Sequence, residues 1–303
     1  MGPQILLPLK GAGGEPVDLD RTIYSHGMVD LPPMKAGQGG SWLEVTLSLR
    51  SGRPRTVKIE PAGKTRARVT IAGRTPGPRT TSEVTEAVKH VLRLDEDLSS
   101  FYELAAADPH LAWATRGAGR MVRSQSVFEE VIKTLCTTNC TWSATRRMVG
   151  ALVEHLGEPA AAGGGRAFPT PQAVAGAGDR FLKDTVRAGY RAPYLRAISE
   201  GVLDGSLDLE WWGRATADEL PDDALADALL ALPGIGPYAC AHVMMMLGRY
   251  SRPIFDSWTR PTYARLVGRK KVSDATVLKR FGRYGRYSGL AFWLFLTEGW
   301  VEA

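Results

Sequence analysis

The chain has 303 residues, 44% of them apolar, 23% charged and 8% aromatic, with a formal charge of +6 and an isoelectric point near 9.3. Those proportions exclude wholesale disorder and a fibrous repeat, and the length suits two domains or one large domain with an appended layer. No stretch approaches the roughly 18 uninterrupted apolar residues that a bilayer needs, and Met1–Leu9 lacks the marks of a secretory signal, so the expected location is the cytoplasm.

The first forty residues, rich in Gly and Pro, read as an irregular lead-in. From Trp42 to Arg50 the pattern changes to period two: Leu43, Val45, Leu47 and Leu49 alternate with Glu44, Thr46 and Ser48, and Val57/Ile59 and Val69/Ile71 continue it after turn-like Ser51–Pro54 and Pro61–Gly63. This predicts a small antiparallel sheet with one wet face. Arg50–Arg79 carries nine basic residues against one acid, Glu60, which would let the segment face a polyanion. Thr80-x-x-Glu83 reads as a capping box, and Val84, Val88, Val91 and Leu92 follow at helical spacing, so helix dominates from residue 80 on. Ser126-x-x-Glu129 opens another helix with Phe128, Val131, Ile132, Leu135 and Cys136 on one face.

Three cysteines, Cys136, Cys140 and Cys240, cannot all pair; the first two, one helical turn apart in an apolar pattern, are expected as buried free thiols rather than a metal site or disulfide, and no four-cysteine set exists for an iron–sulfur cluster. Residues 160–165 read as a Gly/Ala loop. Amphipathic segments recur around Phe181–Val186, Tyr194–Leu203, Asp222–Leu230, Tyr238–Leu247, Thr259–Leu266 and Tyr287–Leu296. From Ala241 onward eleven basic residues stand against four acidic ones. No fixed-period repeat is present. The fold class predicted is α+β, with an N-terminal β-containing domain over residues 1–110 and a helical domain over 111–303.

Leu232-Pro233-Gly234-Ile235-Gly236 lies between two helical patterns and reads as a hairpin whose glycines are free to take positive φ. Pro237 suits the first turn of the second helix, and the turn exposes N–H groups at a helix N-terminus, where an anion such as phosphate is favoured. Twenty residues after Gly236 comes Asp256, at the start of another helix. With that spacing the chain resembles the helix-hairpin-helix (HhH-GPD) DNA glycosylase superfamily, whose signature is this hairpin followed by an essential Asp. Phe128–Val153 with Cys136-Thr137-Thr138-Asn139 is similar to the 8-oxoguanine branch. So are Phe168-Pro169-Thr170-Pro171, Gly189-Tyr190-Arg191-Ala192-Pro193-Tyr194 and Phe281–Gly289. The similarity runs over roughly residues 80–300, and the N-terminal sheet resembles the extra β domain of the 8-oxoguanine and alkylpurine branches.

The resemblance implies a monomer acting on double-stranded DNA that holds a damaged base, with the base flipped into a pocket. Asn139 and Tyr190 would fill the vacated space, with Arg191 near the unpaired partner base. Gly234, Ile235 and Gly236 would grip phosphate, with a monovalent Na⁺ or K⁺ at the hairpin and no organic cofactor or other metal. Asp256 would stabilise the cationic sugar, activate water, or do both. Members that also cut the backbone carry a Lys two residues after the second hairpin glycine. Here Tyr238 stands there, and a phenol forms no Schiff base, so a monofunctional glycosylase leaving an abasic site is expected. Lys133 or Lys183 are the substitutes that a lyase would need.

Phe292 and Ala144 occupy the places of the branch's base-reading Gln and its cytosine-reading Arg, which argues against strict 8-oxoguanine:C recognition. His242 falls at a base-pocket position, and Tyr238, Trp142, Trp258 and Phe292 are candidate aromatic walls that suit an electron-poor alkylated purine. Core packing remains the competing role for each of these side chains. The rival functions are a noncatalytic DNA-binding protein that keeps the hairpin, and an 8-oxoguanine glycosylase/lyase using another Lys.

Overall fold

Alternation of apolar and polar side chains builds the sheet, as expected, but over a longer stretch of chain. The computed structural model describes residues 2–37 and 41–301. Strands β1 (Gln4–Pro8), β2 (Met34–Ala36), β3 (Leu43–Leu49), β4 (Gly52–Pro61) and β5 (Arg66–Ile71) form one antiparallel sheet in the order β1-β5-β4-β3-β2. Leu43 faces Ile59 and Val45 faces Val57; those two in turn face Val69 and Ile71, which makes a continuous apolar row on one side. On the other side Glu44 faces Lys58 and Glu60 faces Arg68, and Lys58 and Glu60 pair at 2.7 Å. With Lys35 opposite Glu44 and Arg66 on the same side of its strand as Arg68, this face carries four basic side chains against two acidic ones, so part of the basic excess of Arg50–Arg79 gathers there. Arg53 lies toward the β3–β4 turn, and Lys64 and Arg66 lie at the opposite turn.

The lead-in is not irregular. It supplies both edge strands, helix α1 (Leu19–Ile23) and a 3-10 turn (Gly27–Asp30). The reason it escaped notice is physical. β2 has only three residues, and Ile5-Leu6-Leu7 of β1 shows no alternation, with Leu6 53% exposed on the edge.

Helix α2 (Pro78–Val91) lays Val84, Val88 and Val91 on the apolar side of the sheet. It begins at Pro78 with Gly77 as its cap, so Thr80 and Glu83 do not form the expected capping box. Glu83 instead accepts the Ser51 N–H at 3.0 Å, and Thr80 Oγ1 lies 3.0 Å from Ser51 Oγ, tying the β3–β4 turn to the helix. The 160–165 loop folds over the far side: Ala161 N–H bonds to the Pro54 carbonyl at 2.9 Å beside the buried Thr46/Thr56 hydroxyl pair.

The remaining helices are α3 (Ser99–Ala106), α4 (Val127–Thr137), α5 (Trp142–Leu156), α6 (Pro171–Gly176), α7 (Ala192–Leu203), α8 (Leu209–Arg214), α9 (Asp222–Leu230), α10 (Pro237–Met246), α11 (Thr259–Leu266), α12 (Asp274–Phe281) and α13 (Ser288–Thr297). The segment Phe181–Thr185 is a single π-helical turn. Ser126 caps α4 as expected, accepting the Glu129 N–H at 3.1 Å, while the Glu129 carboxylate turns to Lys133 at 2.6 Å.

Two apolar cores divide the helical body. One joins α4, α5, α7 and α9; the other joins α3, α12 and α13. Helix α10 is apolar all round and runs between them, giving Ala239, Cys240, Val243 and Met244 to the first and Ala241, Met245 and Met246 to the second. Core membership crosses residue 110: α3 packs with the C-terminal helices, Val122 joins the sheet core, and Met28 and Leu31 join the first helical core. The lead-in is thus wedged against the helix that the hairpin opens.

Candidate active site

Leu232–Gly236 joins α9 to α10 and is anchored by Leu232 and Ile235, both buried in the first core. Gly234 takes φ +81°, where a Cβ would stand 2.6 Å from the Tyr194 ring and 2.7 Å from Leu135. Gly234→Ala is expected to cost about 1–3 kcal/mol, read as a lower urea midpoint. Gly236 departs from the expected positive φ: at φ −100°, ψ −176° it is extended. A Cβ there would meet nothing within 4 Å, so its bareness leaves open approach from solvent. The amides of Gly234 and Gly236 have no acceptor among the described residues. They sit at the N-terminus of α10, an arrangement that suits a phosphate oxygen. The carbonyls of Pro233, Gly234 and Ile235 are likewise uncommitted among the described residues, and such oxygens fit the hard cation the resemblance implies.

The chain leaves α10 and returns through a loop to Asp256, half-buried ahead of α11. Its Oδ1 accepts the Trp258 and Thr259 amides at 2.8 and 2.6 Å, and its own N–H donates to Thr259 Oγ1 at 2.9 Å. This fixes the carboxylate and leaves Oδ2 without a partner among the described residues. The charge of Asp256 reaches both Tyr238 and His242, in the first turns of α10, and raises the pKa of each. Tyr238, half-buried, holds its hydroxyl 3.4 Å from Thr137 Oγ1, and burial raises its pKa. His242 packs its ring 6.1 Å from Tyr238; burial pushes its pKa down to about 4, against the pull of Asp256. Its Nε2 has no partner among the described residues.

Asn139 and Tyr190 meet at the surface. Asn139 takes φ +46°, a backbone that Asn tolerates, and its Nδ2 lies 3.4 Å from the Tyr190 hydroxyl. Tyr190 is 51% exposed and packs edge-on against Tyr194, the ring that also abuts Gly234. The protruding pair and the hairpin are therefore linked through one aromatic. Arg191 turns inward from them. It is buried, donates to the Thr138 carbonyl and, at 3.3 Å, to Thr138 Oγ1, and lies over the Tyr190 ring. With its guanidinium committed to bracing residue 138, it is not presented to a partner base.

Of the aromatic walls, Phe292 is also misplaced by the sequence reading. It is fully buried among Phe255, Phe281 and Tyr263, because α13 is apolar on every side and sits in the second core. Trp258 is half-buried and packs against Trp293 and Trp300 at 5.7 and 5.2 Å. Trp142, 40% exposed, lies against Gly27.

Gly27 belongs to a group that sequence reasoning missed. A cavity of about 350 Å³ is lined by Tyr24, His26, Gly27, Asp30 and Trp300, together with Val29, Ala36 and Gly37. His26 meets His242 edge-on at 6.1 Å. Trp142, Trp258 and His242 thus converge on this cavity from behind its walls. Tyr24 and His26, two residues apart in the lead-in, were the available signal.

No protein-family model matches the chain, and no curated protein sequence matches it. Solved structures do. The 3-methyladenine DNA glycosylase from Archaeoglobus fulgidus aligns with a TM-score of 0.73 at 20% identity, over 97% of this chain and 98% of that one. A protein named MBOgg1, solved with a low-affinity DNA ligand, aligns at 0.74 and 18% identity over 98% and 95%. The 8-oxoguanine glycosylase/lyase of Clostridium acetobutylicum, solved with double-stranded DNA holding cytosine opposite 8-oxoguanine, aligns at 0.63 and 19% over 83% and 86%. This chain has the fold of a DNA glycosylase.

Within that fold Lys133, the first Lys considered in place of an amine at position 238, is turned into the core. It is fully buried and paired with Glu129. Lys183 is exposed on the π-helical turn. Exposed Arg265, Arg269, Lys270, Lys271 and Lys279 line the ridge from α11 into α12, directly downstream of Asp256. The cysteines are free, and Cys136 and Cys240 are buried; Cys140, expected to be buried, is exposed because α4 ends at Thr137 and leaves it outside the helical apolar face. Among the described residues no group of three His, Cys, Asp or Glu side chains is placed to hold a metal, and no helix is long and apolar enough to cross a membrane.

Proposed function

We propose that this protein is a monofunctional DNA glycosylase of base excision repair, acting as a monomer on double-stranded DNA and needing no organic cofactor. It releases a damaged base, an alkylated or otherwise modified purine, and leaves an abasic site. The observation that carries the reading is Asp256 Oδ2, uncommitted beside the first turns of α10, while the amides of Gly234 and Gly236 wait at the start of that helix.

Extruding a nucleotide costs a few kcal/mol of stacking and pairing. The hairpin amides take a phosphate, the basic ridge adds salt-sensitive attraction, and Asn139 with Tyr190 occupies the gap in the duplex. As the C1′–N bond lengthens, positive charge grows on the sugar, and Asp256 Oδ2 stabilises that state more than the neutral ground state. The same oxygen can orient water at C1′. Tyr238 contributes a wall and a neutral phenol, not a nucleophile.

The lesion class follows from proton supply. With a pKa near 4, His242 is neutral at physiological pH and does not serve as an acid for the departing base. A purine alkylated at a ring nitrogen already carries the charge that protonation would provide, so it needs no such acid.

Two measurements test this. Mass spectrometry of bases released from alkylated, oxidised and deaminated duplexes should find alkylpurines foremost; no release from any of them would leave a noncatalytic DNA-binding protein. Borohydride should trap no covalent protein–DNA adduct during turnover, and a trapped adduct would mean a Schiff-base lyase.

A further inference from the structure

The cavity behind Trp142, Trp258 and His242 has a charge pattern of its own. Of the described residues that line it, Asp30 alone bears a formal charge, and neither Lys nor Arg is among them. His26 stays neutral by construction: its Nε2 donates to the Val122 carbonyl at 2.5 Å and its Nδ1 accepts the Met28 N–H at 3.2 Å, so no site is left for a second proton. The Asp30 carboxylate forms no hydrogen bond or ion pair among the described residues, although it is exposed and ends the Gly27–Asp30 turn.

The recess is also joined to the reaction centre by three contacts. His26 packs on His242, Trp300 packs on Trp258, whose amide holds Asp256, and Gly27 lies against Trp142. Its volume, about 350 Å³, falls among ordinary small-molecule sites. The turn that carries Asp30 is fixed to the helical body: Ser25 Oγ accepts the Val122 N–H at 3.0 Å, and the Trp293 indole N–H donates to the Ser25 carbonyl at 2.8 Å.

We propose that Asp30 is a specificity-determining residue of this recess, whose carboxylate, set among the rings of Tyr24, His26 and Trp300, favours a nucleobase carrying a delocalised positive charge over its neutral counterpart. An unpaired carboxylate in a cavity without cations attracts such a base directly, and aromatic faces add to the attraction. A neutral base gains nothing from the carboxylate. The inference rests on the glycosylase reading for its biological use, while the charge preference itself is a property of the recess.

The test is Asp30→Asn, which removes the charge from a side chain with no internal partner and should leave folding unchanged. Single-turnover release of 7-methylguanine from duplex DNA should fall tenfold or more, while release of neutral hypoxanthine, however slow, stays within twofold. Asp30→Glu should recover most of the loss. An equal fall on both bases, or none on either, overturns the proposal. A second arm is independent of turnover: quenching of tryptophan fluorescence by 1-methyladenosine, a cationic nucleoside, against adenosine. The wild-type protein should favour the cation about tenfold and the Asn variant should not. If no base is released from any duplex yet this preference holds, the glycosylase reading fails and the role of Asp30 stands. A wild-type protein without the preference refutes Asp30 whatever the activity.

Discussion

Asp256→Asn is expected to lower base release by a factor of about 10²–10⁴ while duplex affinity stays within about twofold, the range seen when a charge-stabilising or general-base group is removed. The isosteric amide keeps an oxygen where Oδ1 now accepts the Trp258 and Thr259 amides, so the start of α11 should survive. What disappears is the negative charge on the oxygen without a partner. Asp256→Ala is the contrasting variant. It loses the charge and both accepted hydrogen bonds, and should add a stability loss of about 1 kcal/mol, as for other helix-start residues. Single-turnover release, gel-shift affinity and a thermal melt on the two variants separate chemistry from support. If both variants release base at the wild-type rate, Asp256 is not the catalytic carboxylate. If both lose DNA binding as well as activity, the residue holds the loop and no more.

The sequence was legible where local physics and tertiary role agree. Leu43, Val45 and Leu47 alternate because one side of β3 is dry, and the same alternation predicts the sheet. Gly234 is a glycine because the backbone is left-handed there and two side chains crowd its α-carbon, and both facts follow from a tight bend between helices. Legibility failed where a residue's role depends on what arrives from elsewhere in the chain. Phe292 and Trp258 look alike in the sequence as aromatics in helical segments, yet one is enclosed by Phe255, Phe281 and Tyr263 and the other donates its amide to Asp256. Arg191 follows an exposed Tyr, but its own guanidinium is drawn inward by the carbonyl of Thr138. The lead-in was missed for a related reason. Tyr24, His26 and Asp30 have no periodic pattern, and only the fold carries His26 to His242 of α10 across more than two hundred residues of chain.

Acid should destabilise this protein well above the range in which its carboxylates titrate. Burial first, and then the neighbouring His242, Arg93 and Lys133, push His26 down to about 3, with the Val122 carbonyl opposing; burial pushes His242 to about 4. Both would titrate near 6.5 in the unfolded chain. Between those limits the unfolded state binds more protons than the folded one, so stability is full above about pH 6.5 and declines as pH falls, by about 1.4 kcal/mol per unit for each imidazole. From pH 7 to pH 5 each gives up about 2 kcal/mol, a sizeable part of the roughly 5–15 kcal/mol that folded domains possess. His90, also lowered to about 4 by burial but partly exposed, adds a smaller share. Buried Glu130 works the other way. Its carboxyl is raised by burial, so it takes up a proton more readily in the folded state and offsets part of the loss. Asp274, held low by Arg260, gives up its stabilisation only at more acidic pH and does not enter this window. The expected outcome is a melting temperature lower by roughly 5–10 °C at pH 5 than at pH 7. His242→Gln should shrink the difference by about half, because a side chain that binds no proton in either state removes its own term from the linkage. A melting temperature unchanged between pH 5 and pH 7 would mean that the two imidazoles are not sealed from water, and with that the buried contact between the lead-in and α10 would be lost.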